Sequence, residues 1–265
     1  MLAQICQFLA VDSSNFPQNE HIIIGDRSHE GGFLIHYFLN LCLKQKRPVC
    51  FIGLSQSFNH FNTVAQKLGT NLLSARDENK NLLFLEGLKL LSECITQPAT
   101  ELSETKLFLS LLSGDQTPFL DFIKSALVKL SQLSPHSAGP VVIVDDLTVL
   151  LRAGLTTPEL TYFVNSLNNI VTLGALKGSL VLFSNLDEED EEANEVWAFM
   201  SHLSSLKIEV SDLKSGYCKD VHGQILIEWK DSPLKPRKHI TKHTQFKLSD
   251  KSVELFASGM SAAVL

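Results

Sequence analysis

The pattern of apolar and polar positions divides the chain into two parts. In the first part, short runs of apolar and often β-branched residues alternate with longer stretches of helical periodicity. Runs that are apolar at nearly every position are typical of parallel strands buried on both faces. They predict strands over residues 21–25, 47–55, 81–87, 139–147 and 179–185. The periodicity between them predicts helices over residues 32–46, 57–69, 88–95, 117–130 and 158–176, and the polar residues 97–106 are expected to form an exposed connection.

The last third of the chain alternates apolar and polar residues, with turn residues between the runs. This period of two is typical of antiparallel strands that bury one face. It predicts strands over residues 205–213, 223–230, 240–249 and 251–257. Strand–helix units followed by an antiparallel meander favour an α/β fold of the RecA-like, P-loop NTPase type, with helices flanking a mostly parallel sheet and residues 1–265 in a single domain. A Rossmann-type sheet is the competing arrangement, but no G-x-G-x-x-G follows a predicted strand.

The first predicted strand leads through a glycine-containing loop into a helix, which is the arrangement of a phosphate-binding loop. Gly25 and Gly31 are separated by five residues, one more than a P-loop has. Gly32 and Phe33 stand where the phosphate-binding lysine and the magnesium-binding hydroxyl belong, and neither supplies that chemistry. Asp26 would also repel a triphosphate. The loop around Gly25, Gly31 and Gly32 is therefore predicted to be a vestigial phosphate loop, and no cofactor is expected there.

The apolar run that ends in Asp145 and Asp146 is similar to a Walker B strand, whose carboxylate holds Mg²⁺ at the C-terminal edge of a sheet. The pattern alone is weak, because aspartate also caps helices and starts turns after apolar strands. Ser55 and Gln56 stand near the place of the catalytic glutamate of RecA-type ATPases, and neither acts as a general base. Asp145 and Asp146 are therefore interpreted as a vestigial Walker B pair, and no residue is assigned a catalytic role.

Metal and hydrolase motifs are absent from the sequence. The segment from His29 to Phe33 starts like H-E-x-x-H but lacks its second histidine, and residues 53–57 approach G-x-S-x-G without its last glycine. His239 and His243 have no cysteine or carboxylate clustered nearby, and the five cysteines form no C-x-x-C pair. No metal site is predicted.

Composition and charge narrow the class of protein further. The 265 residues are 44% hydrophobic, enough for one large core, and no apolar run reaches the length of a membrane span. The N-terminal stretch lacks a basic segment followed by a long apolar one, so no secretory signal is expected. A net charge of −6 gives no global attraction for nucleic acid, so no DNA partner is predicted and any RNA contact has to be local. The expected location is the cytoplasm, with the nucleus as a second one.

Two charge blocks stand out near the C-terminal side. Residues 186–195 carry seven acidic residues and no basic one, and they are interpreted as a solvated loop leading into a helix over residues 196–202. Residues 230–247 are rich in lysine and arginine, which predicts a basic hairpin that contacts phosphate oxygens. The alternative is an ordinary hairpin whose lysines protect an edge strand. The RNA-binding candidates are Lys235, Arg237, Lys238 and Lys242.

Four stretches together resemble a known family. They are QSFNHF (56–61), VVIVDDLTVLL (141–151), GYCKDVHGQILIEW (216–229) and the terminal KSVELFASGMSAAVL (251–265), and the last is the most specific. The combination resembles the sixth-subunit family of the Elongator complex, of the vertebrate type, over essentially the whole chain.

The resemblance implies a RecA-like fold without working ATPase motifs. It implies assembly with the fourth and fifth Elongator subunits into a hetero-hexameric ring, and contact with the remaining subunits through that ring. Elongator modifies the wobble uridine at position 34 of certain tRNAs, and its radical and acetyl-transfer chemistry belongs to another subunit. The family's ring is associated with tRNA binding and with ATP hydrolysis that promotes tRNA release, so tRNA is a further expected partner.

The sequence thus predicts a non-catalytic ring subunit that helps to bind and release tRNA. One alternative stays open, which is a divergent P-loop ATPase. In that case Asp145 or Asp146 would hold Mg²⁺, and a neighbouring subunit would complete the site with the missing positive charge.

Overall fold

A nine-stranded sheet runs through the part of the chain that the computed structural model describes. The described residues are 2–9, 18–96, 104–133, 138–213, 216, 218, 220–230, 238–249 and 252–256. The strands are β1 (His21–Asp26), β2 (Val49–Gly53), β3 (Leu82–Leu85), β4 (Val141–Asp145), β5 (Ser179–Asn185), β6 (Leu206–Ser211), β7 (Gly223–Trp229), β8 (Ile240–Ser249) and β9 (Ser252–Phe256). Their order in the sheet is β3-β2-β4-β5-β1-β6-β7-β8-β9.

The first six strands are parallel and the last three are antiparallel, which confirms the predicted division of the sheet. Strand β6, which was expected to begin the antiparallel meander, is antiparallel to β7 and also pairs in parallel with β1, with Ile22 opposite Leu206, so it joins the two parts of the sheet. The alternating burial of β6 is real. Alternation reports that one face is buried more than the other and carries no information on strand direction.

The described helices are α1 (Leu2–Leu9), α2 (Phe33–Lys44), α3 (Phe58–Lys67), α4 (Gly87–Thr96), α5 (Glu104–Leu112), α6 (Thr117–Leu133), α7 (Thr148–Arg152), α8 (Thr157–Asn168) and α9 (Glu191–Leu203). Short π-helical turns occupy Ser74–Glu78 and Asn169–Leu173. The long helix predicted over residues 158–176 therefore ends earlier than expected. Helix α5 was not predicted. Its first three residues, 104–106, are the last three of the exposed connection expected over residues 97–106. The earlier part of that connection lies outside the described residues.

Two apolar layers enclose the parallel strands. Residues of α1, α2 and α3 pack on one face, with Ile22 and Ile24 of β1, whereas α4 to α9 pack on the other face, with Ile23. Because both faces are covered, the strands are apolar at nearly every position, as the sequence pattern indicates. Within the described ranges, none of the helices combines the length and apolar composition that crossing a bilayer requires.

Candidate functional site

The carboxyl ends of β1, β2 and β4 meet at one edge of the sheet and border a pocket of about 210 Å³. Its wall includes Asp26 at the end of β1, His29 in the loop that follows, His36 of α2, Ser55 after β2, His60 of α3 and Asp145 of β4. Open α/β sheets bind ligands outside the carboxyl ends of their strands. The structure therefore brings together the predicted loop and the predicted Walker B strand, which are far apart in the sequence.

The loop after β1 closes around the side chain of Asp26. Oδ1 of Asp26 accepts hydrogen bonds from the backbone N–H and the hydroxyl of Ser28, both at 3.0 Å. Oδ2 accepts a bond from the backbone N–H of Gly31 at 2.7 Å. In a phosphate loop, backbone N–H groups of this kind bind the phosphate oxygens. Here they bind a carboxylate of the chain itself, and a triphosphate would have to displace it.

Gly25 and Gly31 avoid clashes with different neighbours. A Cβ atom on Gly31 would lie 2.8 Å from Cγ of Asp26, so glycine at this position permits the closed loop. A Cβ atom on Gly25 would lie 2.7 Å from Leu186 and 2.8 Å from the Trp197 ring, so Gly25 allows α9 to pack closely on β1. Gly32 has open space around its Cα. Gly25 and Gly31 are thus explained by contacts within the chain.

Replacing Asp26 by asparagine tests the closed loop. An amide offers one acceptor oxygen, and its nitrogen would face an N–H donor, so at least one buried donor loses its partner. The free energy of unfolding is expected to fall by about 1–3 kcal/mol. Urea unfolding at pH 7 measures this change, with Asp121→Asn on the exposed side of α6 as the matched control. Equal stability of the wild-type and Asp26→Asn chains would contradict the closed loop.

Asp146 is held entirely by its neighbours. Oδ1 accepts bonds from the backbone N–H of Thr148 at 3.0 Å, the Thr148 hydroxyl at 2.9 Å and the backbone N–H of Asn185 at 3.2 Å. Oδ2 accepts a bond from the Asn185 side-chain amide at 2.6 Å. Asp146 therefore ties the start of α7 to the end of β5, and both of its oxygens are engaged.

Asp145 faces the pocket. Its Oδ2 accepts a bond from the Ser55 hydroxyl at 2.6 Å, and 5% of the residue is exposed. Burial raises the pKa of Asp145 to about 7, repulsion from Asp146 acts in the same direction, and hydrogen bonds from Ser55 act against it. Of the two aspartates in the predicted Walker B pair, Asp145 is thus the one placed to meet a ligand.

Two histidines that the sequence did not mark as site residues line the same pocket. The rings of His36 and His60 have centroids 6.0 Å apart, and the ring of Phe61 lies 5.1 Å from that of His36. Burial, helped by the nearby His60, lowers the pKa of His36 to about 4. No sequence spacing signals this group, because it depends on how α2 packs against α3. No group of three or more His, Cys, Asp or Glu side chains with metal-binding geometry occurs among the described residues.

The acidic block was expected to be a solvated loop up to residue 195, and this is wrong for its second half. Asp190 caps α9 by accepting a bond from the backbone N–H of Ala193 at 3.0 Å, and the helix begins at Glu191. Acidic side chains in the first turn favour the helix because they complement its dipole. The side chain of Arg27 donates to Oδ1 of Asn194 at 3.1 Å, so the acidic end of α9 lies beside the loop after β1.

The structure describes two of the four RNA-binding candidates. Lys238 is exposed, whereas Lys235 and Arg237 lie outside the described residues. Nζ of Lys242 donates to the carbonyl oxygen of Phe8 at 2.9 Å, at the C-terminal end of α1. Lys242 therefore has a structural contact that the sequence did not suggest, and its role in RNA binding remains a prediction.

The comparisons of sequence with known proteins agree on one family. A family model described as "Elongation complex protein 6" matches residues 2–250. Elongator complex protein 6 of Xenopus laevis is 38% identical over 268 residues and that of Homo sapiens is 35% identical over 269 residues, with 100% of each chain covered in both cases. An uncharacterised protein of Pyrococcus horikoshii, solved with an unknown peptide, is similar with a TM-score of 0.64 at 11% identity, covering 96% of both chains. Its fold is RecA-like, and the present chain shares that fold.

Proposed function

This chain belongs to the Elongator complex protein 6 family, and from that premise we propose that it is a non-catalytic subunit of the Elongator complex. In this proposal it assembles with the fourth and fifth subunits into a hetero-hexameric accessory ring, in the cytoplasm and also the nucleus. The ring supports modification of the wobble uridine by helping to bind and release tRNA. The chain contributes to the structure of the ring and to its binding surface, and the reaction takes place on another subunit.

The observation that supports a non-catalytic role most strongly is the closed loop around Asp26. The lysine and the hydroxyl of a working P-loop are replaced by Gly32 and Phe33, and the loop N–H groups are already bound to the Asp26 carboxylate. A nucleoside triphosphate would therefore meet a negative charge where it needs N–H donors and a cation.

The divergent ATPase remains the second candidate, and Asp145 is what favours it. A carboxyl group with a strongly raised pKa in a cleft is a common property of functional sites. In this alternative, Asp145 alone would have to hold Mg²⁺, since both oxygens of Asp146 accept hydrogen bonds from Thr148 and Asn185. A neighbouring subunit would supply the positive charge.

Co-purification tests the proposed assembly directly. The chain is expected to form one stable particle with the fourth and fifth Elongator subunits together, and native mass spectrometry should give the mass of a six-chain ring. Omitting either partner should prevent the ring from forming. A chain that stays separate on gel filtration in the presence of both partners would contradict the proposal.

The basic segment, which is the predicted basic hairpin of residues 230–247, is expected to contribute to tRNA affinity in the ring. If each cation neutralises one phosphate, changing Lys235, Arg237 and Lys238 to alanine together should reduce the slope of log affinity against log salt by about two to three units. Such contacts position RNA without reading its bases, so different tRNAs should be affected equally. A salt series of tRNA-binding measurements on intact rings gives the slope.

Lys124→Ala, on the exposed side of α6, is the matched control for this series. Because Lys124 lies outside residues 230–247, its removal should leave both the stability and the salt dependence nearly unchanged. If the triple variant binds tRNA with unchanged affinity and slope, the basic segment only protects the edge of the hairpin, and the partner subunits hold the RNA.

A further inference from the structure

Asp145 is a buried carboxyl group that has no positive partner among the described residues. The hydrogen bonds that hold it come from Ser55. Among the described residues, no lysine or arginine contacts Asp145, and the pocket wall contains neither residue type. Burying a carboxylate without a cation is costly, so a cation that enters the pocket would be attracted to this group.

Aromatic rings line the same pocket as this carboxyl group. The rings of His36, His60 and Phe61 lie with centroids between 5.1 and 6.0 Å apart. Because the pKa of His36 is about 4, its ring is neutral at pH 7 and adds no positive charge. The pocket of about 210 Å³ therefore combines the exposed ring of His60 with the carboxyl group of Asp145, whereas the carboxylate of Asp26 is bound to the N–H groups of its own loop.

A guanidinium group matches this combination better than other charged groups do. It is planar, donates two parallel hydrogen bonds to a carboxylate and stacks on ring faces. Magnesium requires a near-octahedral set of oxygen ligands, and the carboxylates of Asp26 and Asp146 are already engaged within the chain. A phosphate would meet Asp26 and Asp145 with no lysine or arginine in the wall to offset them.

The chain's own described arginines do not fill the pocket. Arg27 binds Asn194, Arg47 donates to the carbonyl oxygen of Gly139, and Arg76 pairs with Asp77. None of the arginines in the described ranges lines the pocket.

We propose that this pocket receives the guanidinium group of an arginine presented by a neighbouring protein chain, with Asp145 as the counter-charge and the exposed ring of His60 as the stacking surface. The inference rests on the assembly proposed above, because the arginine comes from another subunit. The vestigial nucleotide site thereby becomes a contact between subunits.

The test measures the affinity of the chain for the purified pair of fourth and fifth subunits. Asp145→Asn keeps the size of the side chain and removes the charge, and it is expected to weaken binding about tenfold. Asp121→Asn, on the exposed side of α6, is the control and should bind like the wild type. Arginine modification by phenylglyoxal, read by mass spectrometry, should find one partner arginine that is protected in the wild-type assembly and exposed to reagent in the Asp145→Asn assembly.

The possible outcomes separate the two proposals. Weaker binding together with a deprotected partner arginine supports the guanidinium contact. Unchanged affinity, or weaker binding without any change in arginine reactivity, overturns this inference and leaves the proposed ring intact. Failure of the wild-type chain to bind the partner subunits at all overturns the ring and the inference together.

Discussion

Replacing Asp145 by asparagine is expected to stabilise the isolated chain at pH 8 by about 2–4 kcal/mol and to change its stability little at pH 4. Burial is the main reason that the pKa of Asp145 rises from 3.8 to about 7 in the folded chain. The folded state therefore binds this proton more tightly than the unfolded state does. The associated stability is fully present below pH 3.8 and is lost as the pH rises through 7. Asparagine does not titrate, so the Asp145→Asn variant does not lose this stability as the pH rises.

Urea unfolding at several pH values between 4 and 8 measures this effect, and Asp146→Asn provides a contrast at the neighbouring position. The carboxylate of Asp146 accepts bonds from Thr148 and Asn185, so its replacement is expected to lower stability by about 1–3 kcal/mol at pH 7. Opposite signs for the two variants at pH 8 would support the distinct environments of the two aspartates. A loss of stability in both would show that Asp145 is satisfied as a carboxylate.

Replacing Trp197 by alanine is expected to lower the free energy of unfolding by about 3–5 kcal/mol. Trp197 is 5% exposed, packs over Gly25 and donates from Nε1 to Oε1 of Glu209 at 3.2 Å. It thus joins α9 to β1 and β6. Thermal or urea unfolding measures the loss. Tyr162→Ala is the control, since Tyr162 is 57% exposed and its loss should cost less than about 0.5 kcal/mol.

A double-mutant cycle then tests the packing role of Gly25. Gly25→Ala alone should cost about 1–3 kcal/mol, because its Cβ would lie within 3 Å of Leu186 and Trp197. In the Trp197→Ala background the same change should cost less, because the two contacts with the ring are gone and only the contact with Leu186 remains. Equal costs in both backgrounds would mean that the ring of Trp197 is not what requires glycine at this position.

The sequence predicted the parallel strands well because each is apolar along its whole length. Strands β1, β4 and β5 begin or end within two residues of their predicted limits. Helix α5 was missed because its first residues, from Glu104, continue a polar stretch that looked like a loop. The start of α9 was missed for the same reason, since acidic residues are common both in solvated loops and in the first turn of helices.

The site was predicted in outline and not in its contacts. The sequence placed the aspartate pair at the C-terminal edge of the sheet, and in the structure the glycine loop borders the same pocket, since both follow strands of a parallel sheet. It interpreted Asp26 as a charge that repels phosphate, whereas the structure shows that side chain bound to the loop N–H groups. Which of Asp145 and Asp146 faces the pocket depends on the packing of α7 and β5, and no sequence pattern reports that.

Calorimetric titration of the isolated chain with ATP and Mg²⁺ tests the central claim most directly, which is that the nucleotide site is vestigial. The Asp26 carboxylate occupies the loop donors, and no lysine follows Gly31. We therefore expect no binding heat at nucleotide concentrations up to about 1 mM, which limits any binding free energy to about 4 kcal/mol. A saturating isotherm with a dissociation constant in the micromolar range would contradict the account and favour the divergent ATPase.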